Sequence, residues 1–138
     1  MARRRLTEAQ LWARLARRGY PDDEVRATVE RCKAEGYVDD GLFARLFVEA
    51  RARALGDSRL VAELVRRGID REAAQASVGH AECGESQRLA KAVEKIFAAR
   101  PQISYPGAAR ALGRLGFPAS LIYRQLRERA SALGDALG

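Results

Sequence analysis

The strongest constraint on the fold of this chain is a pattern of residues that occurs three times. In each copy, two small or aliphatic residues four positions apart are followed by a glycine and a large apolar residue, and the pattern returns after 49 and then 48 residues. The positions are Leu11, Leu15, Gly19, Tyr20, Pro21 and Val29 in the first copy, Leu60, Leu64, Gly68, Ile69, Asp70 and Val78 in the second, and Ala108, Leu112, Gly116, Phe117, Pro118 and Leu126 in the third. Three copies at a nearly constant period indicate a tandem repeat of one structural unit.

Each copy predicts two helices joined by a short turn. Residues four apart lie on one face of a helix, and a glycine after such a face is typical of a helix end with positive φ. Pro21 and Pro118 fit the first turn of the second helix, and Asp70 fits an N-cap.

The starts of the first helices are also marked in the sequence. Thr7 and Gln10 have the spacing of a capping box, in which each side chain satisfies the other's backbone amide. Ser104 takes the equivalent place in the third copy, and Gly56 in the second.

A third helix follows the turn helices in the first two copies. Gly36 ends the preceding helix and Asp39–Asp40 place acidic side chains at the positive end of the next one. Its predicted apolar stripe is Phe43, Leu46, Phe47 and Ala50. After the polar loop 79–85, the corresponding stripe of the second copy is Leu89, Ala92, Val93 and Ile96.

The sequence therefore predicts an all-α fold of tandem three-helix, helix-turn-helix-like repeats. No segment has the two-residue alternation of a strand. Repeat 1 is expected at about 6–54, repeat 2 at about 56–100 and repeat 3 at about 104–133, where Gly134 and Gly138 mark a frayed end. Units this small bury little apolar surface alone, so we expect an elongated or curved array within a single chain.

The composition narrows the functional class. The chain has 138 residues and a net charge of +7, and the excess is spread along it as +2, +2 and +3 on residues 1–51, 52–100 and 101–138. Only three of the 25 basic residues are lysines, so most are arginines, whose planar donors suit phosphates and carboxylates. No apolar run is long enough to span a membrane, and the basic residues 3–5 are not followed by the apolar stretch of a signal peptide, so we expect a cytoplasmic protein without membrane contact.

The sequence offers no set of residues for catalysis, and no ligand set for a metal ion or a cofactor. His80 is the single histidine, and Cys32 and Cys83 are too far apart to form a metal-ligand motif. The acidic runs 22–24 and 39–40 have the residue type for Mg²⁺, but both directly precede apolar-periodic helices, which favours helix capping. We therefore expect no enzyme activity, no cofactor and no metal.

The basic residues are the strongest candidates for binding a partner. Arg17, Arg66 and Arg114 occupy equivalent positions before the turn glycines, and stacked repeats would align them in one stripe that faces a polyanion or an acidic protein groove. Arginine also favours the negative end of a helix dipole, so a solvated helix end explains the same positions equally well. The further candidates in the same neighbourhoods are Arg59, Arg67 and Arg51.

Three aromatic residues allow two interpretations. Trp12, Tyr20 and Tyr37 resemble the platforms on which single-stranded nucleic acid bases stack. Tyr20 and Tyr37 directly follow turn glycines, where Ile69 and Phe117 also occur, so packing in the core or at an interface is the simpler expectation.

Two passages of the sequence resemble the RecX family. Residues 36–51, with Gly36, the acids 39–40, Phe43-Ala44 and Arg51, are similar to one motif of that family. Residues 56–69, with Arg59-Leu60, Glu63-Leu64 and Arg67-Gly68-Ile69, are similar to a second. With the repeat spacing, the resemblance covers about residues 6–126, and the third repeat is its weakest part because Ala108 replaces a leucine.

The resemblance implies a non-enzymatic regulator of the RecA recombinase. RecX proteins are thought to lie in the helical groove of the RecA–single-stranded DNA filament and to inhibit its ATPase and strand exchange, which modulates recombination, repair and the SOS response. The expected partners are the RecA filament and single- or double-stranded DNA, and the chain is expected to be a monomer. The alternative is a helix-turn-helix-like protein that acts directly on nucleic acid. A sequence-specific reader concentrates its charge on one recognition helix, whereas here basic residues recur in every copy, which favours the regulator.

Overall fold

The computed structural model describes the backbone of residues 5–137 and the side chains through residue 134, and it contains helices and no strand in that part of the chain. Arg3, Arg4 and Gly138, which enter the predictions above, lie outside the described residues. The helices are α1 (Glu8–Arg17), α2 (Asp22–Ala34), α3 (Asp40–Arg51), α4 (Asp57–Arg66), α5 (Arg71–Gly79), α6 (Glu85–Ala99), α7 (Tyr105–Arg114) and α8 (Ala119–Leu137). The predicted all-α class is confirmed.

The turn glycines end helices as the repeat predicts. Gly19, Gly68 and Gly116 follow α1, α4 and α7 with φ of 90°, 98° and 96°, and Gly36 after α2 has φ of 80°. These are left-handed backbone conformations that a side chain at Cβ disfavours. The glycine therefore sets the direction in which each second helix leaves its turn.

Side chains cap the helix starts at three predicted positions. Thr7 and Gln10 form a complete capping box on α1. Asp70 accepts hydrogen bonds from the amides of Glu72 and Ala73 at the start of α5, and the Ser104 side chain accepts from the amide of Gly107 at the start of α7.

Both turn prolines lie just before their helices, whereas the sequence predicted them in the first helical turn. Pro21 is the N-cap of α2, because its ψ of 152° is extended rather than helical, and Pro118 immediately precedes α8. The acidic residues 22–24 consequently fill the whole first turn of α2, where the helix dipole favours negative charge.

The chain divides into two compact units, and the division falls within α4. The first unit comprises residues 1–50 and 61–80. Helices α2, α3, α4 and α5 supply most of its buried apolar residues, which include Val25, Val29, Ala44, Val48, Leu64, Ala74 and Val78.

The predicted stripe of α3 is partly wrong. Ala44 and Val48 are buried, while Leu46 and Ala50 are exposed and the stacked rings of Phe43 and Phe47 are half-buried. The buried face is therefore centred one residue beyond the prediction, on the smaller side chains of Ala44 and Val48.

The second unit comprises residues 51–60 and 81–138 and is built around α6, α7 and α8. Its core contains Leu89, Ala92, Val93, Ala108, Ala109, Leu112, Phe117, Ile122 and Leu126. The predicted face of α6 is confirmed, since Ile96 also packs against this cluster.

The last helix is longer than predicted. Helix α8 continues through Gly134 to Leu137, beyond the end expected at about Leu133. A glycine inside an exposed helix costs only about 1 kcal/mol, so Gly134 does not force the helix to stop. The two units cut across the predicted repeats, whose boundaries remain a prediction.

Candidate partner-binding surface

The three arginines singled out by the repeat occupy the same structural position. Arg17, Arg66 and Arg114 are the last residues of α1, α4 and α7, two residues before a turn glycine. All three side chains are exposed. Within the described residues, none of the three guanidinium groups has an ion pair or a hydrogen bond. Their alignment in a single stripe remains a prediction.

The position of these arginines has a local physical cause. The last carbonyl groups of a helix lack intrahelical partners and carry partial negative charge, which favours a cation in the last turn by about 0.3–1 kcal/mol. A helix end therefore accounts for the choice of a basic residue. This position at a helix end still leaves the N–H donors of an exposed guanidinium available to a carboxylate or phosphate.

Arg67 has partners within its own unit. Its guanidinium lies 4.8 Å from the centre of the Phe47 ring and 3.8 Å from a carboxylate oxygen of Glu63, and it donates a 2.9 Å hydrogen bond to the Glu63 carbonyl. Arg67 therefore fixes α4 against α3, in addition to any role in binding.

Arg59 lies in the first turn of α4, and Arg51 lies at the end of α3. Arg59 Nη1 donates a 2.6 Å hydrogen bond to the carbonyl of Arg114, so its side chain satisfies the end of α7. Arg51 is the exposed last residue of α3. The structure thus ties Arg59 directly to one of the three repeat-related arginines.

One buried arginine was missed by the sequence analysis. Arg88 is 2% exposed and pairs with Asp57. It also donates to the carbonyl groups of Leu55 at 3.4 Å and Cys83 at 2.9 Å. Residue 88 is four before Ala92, so the helical period already placed it on the buried face of α6.

The aromatic residues behave differently from the expectation. Trp12 is half-buried, but Tyr20 is 51% and Tyr37 is 70% exposed. A core role is therefore wrong for both tyrosines, and packing at an interface remains a prediction for them. Ile69 and Phe117, which correspond to Tyr20, are buried. A tyrosine hydroxyl needs a hydrogen-bond partner when it is buried, whereas isoleucine and phenylalanine do not.

The acidic run 39–40 accepts hydrogen bonds from backbone amides, and Lys33 pairs with two acidic residues outside both runs. Asp39 accepts a 3.0 Å bond from the amide of Leu42, and Asp40 accepts a 2.9 Å bond from the amide of Glu8. Lys33 lies 3.4 Å from Glu8 and 3.6 Å from Glu30. The carboxylate of Glu30 and then that of Glu8 raise the pKa of Lys33.

The described residues contain no group of three or more histidine, cysteine or acidic side chains placed to hold a metal ion. None of the helices in that part of the chain is long and apolar enough to cross a membrane.

Fold and surface together define an all-α protein of helix-turn-helix units with exposed arginines at recurring helix ends. Sequence profiles of known families identify it further. Residues 1–32 match the first three-helix domain of RecX, and residues 39–78 match the second.

Proteins named RecX are similar in sequence to most of this chain. A regulatory protein RecX of Thermobifida fusca (strain YX) is 33% identical over 135 residues, which cover 93% of this chain and 73% of that protein. A regulatory protein RecX of Thermus thermophilus is 35% identical over 118 residues, which cover 86% of this chain and 78% of that protein. The chain belongs to the RecX family of regulatory proteins.

A solved structure supports the same fold. A crystal structure of regulatory protein RecX superimposes with a TM-score of 0.73 and 16% sequence identity, and the match covers 89% of this chain and 65% of that one. At this identity the likeness shows the architecture of helices alone.

Proposed function

We propose that this chain regulates the RecA recombinase by binding RecA and its filament on single-stranded DNA. In this proposal it lies in the helical groove of the filament, inhibits ATP hydrolysis and strand exchange, and so modulates DNA recombination and repair. Membership of a family of regulatory proteins supports the proposal. The chain works in the cytoplasm through binding and catalyses no reaction of its own.

The observation that carries the proposal is the recurrence of an exposed arginine at one helix position. Arg17, Arg66 and Arg114 each end the first helix of a helix-turn-helix unit with a guanidinium group unpaired among the described residues. A filament presents the same protein surface at every protomer, so a repeated donor on the regulator meets a repeated acceptor. Linked contacts of modest strength add up, because each one raises the effective concentration of the next.

The direct test of this function is the DNA-dependent ATPase of RecA. We expect the chain, added below one copy per RecA protomer to RecA on single-stranded DNA, to lower ATP hydrolysis and strand exchange progressively. Inhibition should begin below equimolar amounts because one chain contacts more than one protomer. If neither activity changes at any ratio, the proposed regulation of RecA is wrong.

A specific observation favours the second candidate, direct action on nucleic acid. Helix α8, the second helix of the third unit, has no acidic residue in its first turn, and it exposes Tyr123, Arg124 and Arg127. Helix α2 occupies the equivalent place in the first unit and begins with three acidic residues. The charge on α8 therefore suits a phosphate backbone better than that on α2.

The two candidates separate in a binding assay without RecA. Direct action predicts that Arg124→Ala with Arg127→Ala weakens binding to DNA and lowers the slope of log affinity against log salt by about 2. Arg26→Ala with Arg31→Ala removes the same charge from exposed positions of α2 and is the matched control. Equal losses in the two double variants exclude α8 as a DNA-reading helix.

A further inference from the structure

The turn after α4 is covered by the start of another helix. The Thr7 hydroxyl, at the start of α1, donates a 2.5 Å hydrogen bond to the carbonyl of Arg67. A Cβ atom at Gly68 would lie 2.3 Å from the Cβ of Ala9. Thr7 is completely buried in this contact. The first turn of α1 thus sits directly on the glycine turn of the next repeat.

The turn after α7 is covered in the same manner. The amide of Gly56, at the start of α4, donates a 2.8 Å bond to the carbonyl of Leu115, and the Ser58 hydroxyl donates a 2.8 Å bond to that of Gly116. A Cβ atom at Gly116 would lie 2.3 Å from the Cβ of Arg59. Gly56 corresponds to Thr7, and Leu115 to Arg67, so one contact is built twice.

The remaining turn, after α1, and the remaining helix start, that of α7, lack this contact among the described residues. A Cβ atom at Gly19 would meet nothing within 4 Å, although φ there is 90°. The carbonyl of Arg18, which corresponds to those of Arg67 and Leu115, accepts no hydrogen bond among the described residues. At the start of α7, Ser104 and Pro106 are exposed, in contrast to the buried Thr7 and Gly56.

We infer that the Gly19 turn of one chain binds the start of α7 of a second copy. The Ser104 hydroxyl accepts from the amide of Gly107 at 3.1 Å, as Thr7 accepts from that of Gln10 at 3.1 Å, and its proton is directed to the Arg18 carbonyl of the other copy. Pro106 lies over Gly19, where no side chain stands in its way. Two different surfaces meet, so each added copy leaves the same surfaces open and the chains associate head to tail.

The charges of the two backbones complement each other. The start of a helix carries partial positive charge and its end partial negative charge, so the first turn of α7 and the end of α1 attract. The contact is small, so it forms when the concentration of the chain is high. The inference does not rest on the proposed function. It differs from the expectation of a monomer, because the chains associate at high concentration.

Cross-linking tests the predicted pairing of surfaces. In a background with Cys32→Ser and Cys83→Ser, an Arg18→Cys chain is mixed at millimolar concentration with a differently tagged Ser104→Cys chain, and a short bis-maleimide is added. We expect mixed dimers in several-fold excess over those formed by Arg18→Cys with Ser131→Cys, which places the thiol on an exposed serine of α8. Equal yields from the two mixtures overturn the inference.

Sedimentation velocity tests the same contact without a covalent bond. We expect the natural chain to sediment faster as its concentration rises, and Pro106→Trp to abolish this dependence by filling the space over Gly19. Gln102→Trp adds the same ring at a nearby exposed residue and should retain the dependence. The inference is overturned if the natural chain does not associate as its concentration rises, or if Pro106→Trp associates equally.

Discussion

Two independent features favour glycine at both position 68 and position 116. Each has positive φ, and each has another backbone or side chain where its Cβ atom would stand. Gly19 has the first feature alone, because nothing lies within 4 Å of its Cβ position. The three equivalent positions therefore separate the cost of the backbone conformation from the cost of the close contact.

Alanine at these positions should destabilise the fold by different amounts. We expect Gly19→Ala to lower the free energy of unfolding by about 1–2 kcal/mol, the cost of a left-handed backbone. Gly68→Ala should lower it by a further ~1–3 kcal/mol, since the added methyl overpacks against Ala9. Urea denaturation measures both values, and equal losses would contradict the contact between α1 and the Gly68 turn.

The pKa of Lys33 reports on a second local contact. The carboxylates of Glu30 and Glu8 raise this pKa above 10.5, so the pairs stabilise the folded state below that pH, and this contribution is lost as the pH rises through the raised pKa. Glu8→Gln should lower the pKa of Lys33 towards 10.5 in an NMR titration of its side chain. Glu35→Gln, an exposed neighbour on the chain, should leave it unchanged. An unchanged pKa in Glu8→Gln would exclude the ion pair.

At the scale of the element, two helix starts of the same type differ in what surrounds them. Thr7 caps α1 and also holds the Arg67 carbonyl, whereas Ser104 caps α7 at an exposed site. Thr7→Ala should cost about 2–3 kcal/mol of stability, from a lost cap of about 1 kcal/mol and a carbonyl left without its partner at ~1–2 kcal/mol. Ser104→Ala should cost about 1 kcal/mol, for the cap alone. Equal losses in thermal or urea unfolding would show that the Arg67 contact contributes nothing.

Helix ends were predictable from the sequence, and helix faces only in part. Caps and glycine turns depend on residues a few positions apart, so Thr7, Asp70 and Gly68 revealed them directly. The buried side of α3 and the exposure of Tyr20 depend on which distant element packs nearby, and the local pattern does not contain that information. Arg88 lay on a recognisable apolar face, but its partners Asp57 and Leu55 come from a segment about 30 residues earlier.

At the scale of the whole molecule, the repeat fixes the period but not its phase. The predicted second repeat begins at about 56, whereas the second three-helix domain of RecX matches residues 39–78 and so begins with α3. The two choices share α4 and α5 and differ in whether α3 or α6 completes the unit, because a periodic sequence can be divided at any point of its period. The all-α class does not depend on where the repeat is divided, so it could be predicted. The packing units do depend on that division, so they could not.

The proposed function rests on the three arginines that share one helix position, and their removal tests it most directly. The variant with Arg17→Ala, Arg66→Ala and Arg114→Ala is compared with one carrying Arg26→Ala, Arg71→Ala and Arg110→Ala, which loses the same charge from other exposed positions. The measurement is the affinity of each folded variant for RecA filaments on single-stranded DNA. We predict a loss of about tenfold or more for the first variant, equivalent to about 1.4 kcal/mol, and a clearly smaller loss for the second. Equal affinities of the two variants would contradict the assignment of these arginines as the binding surface.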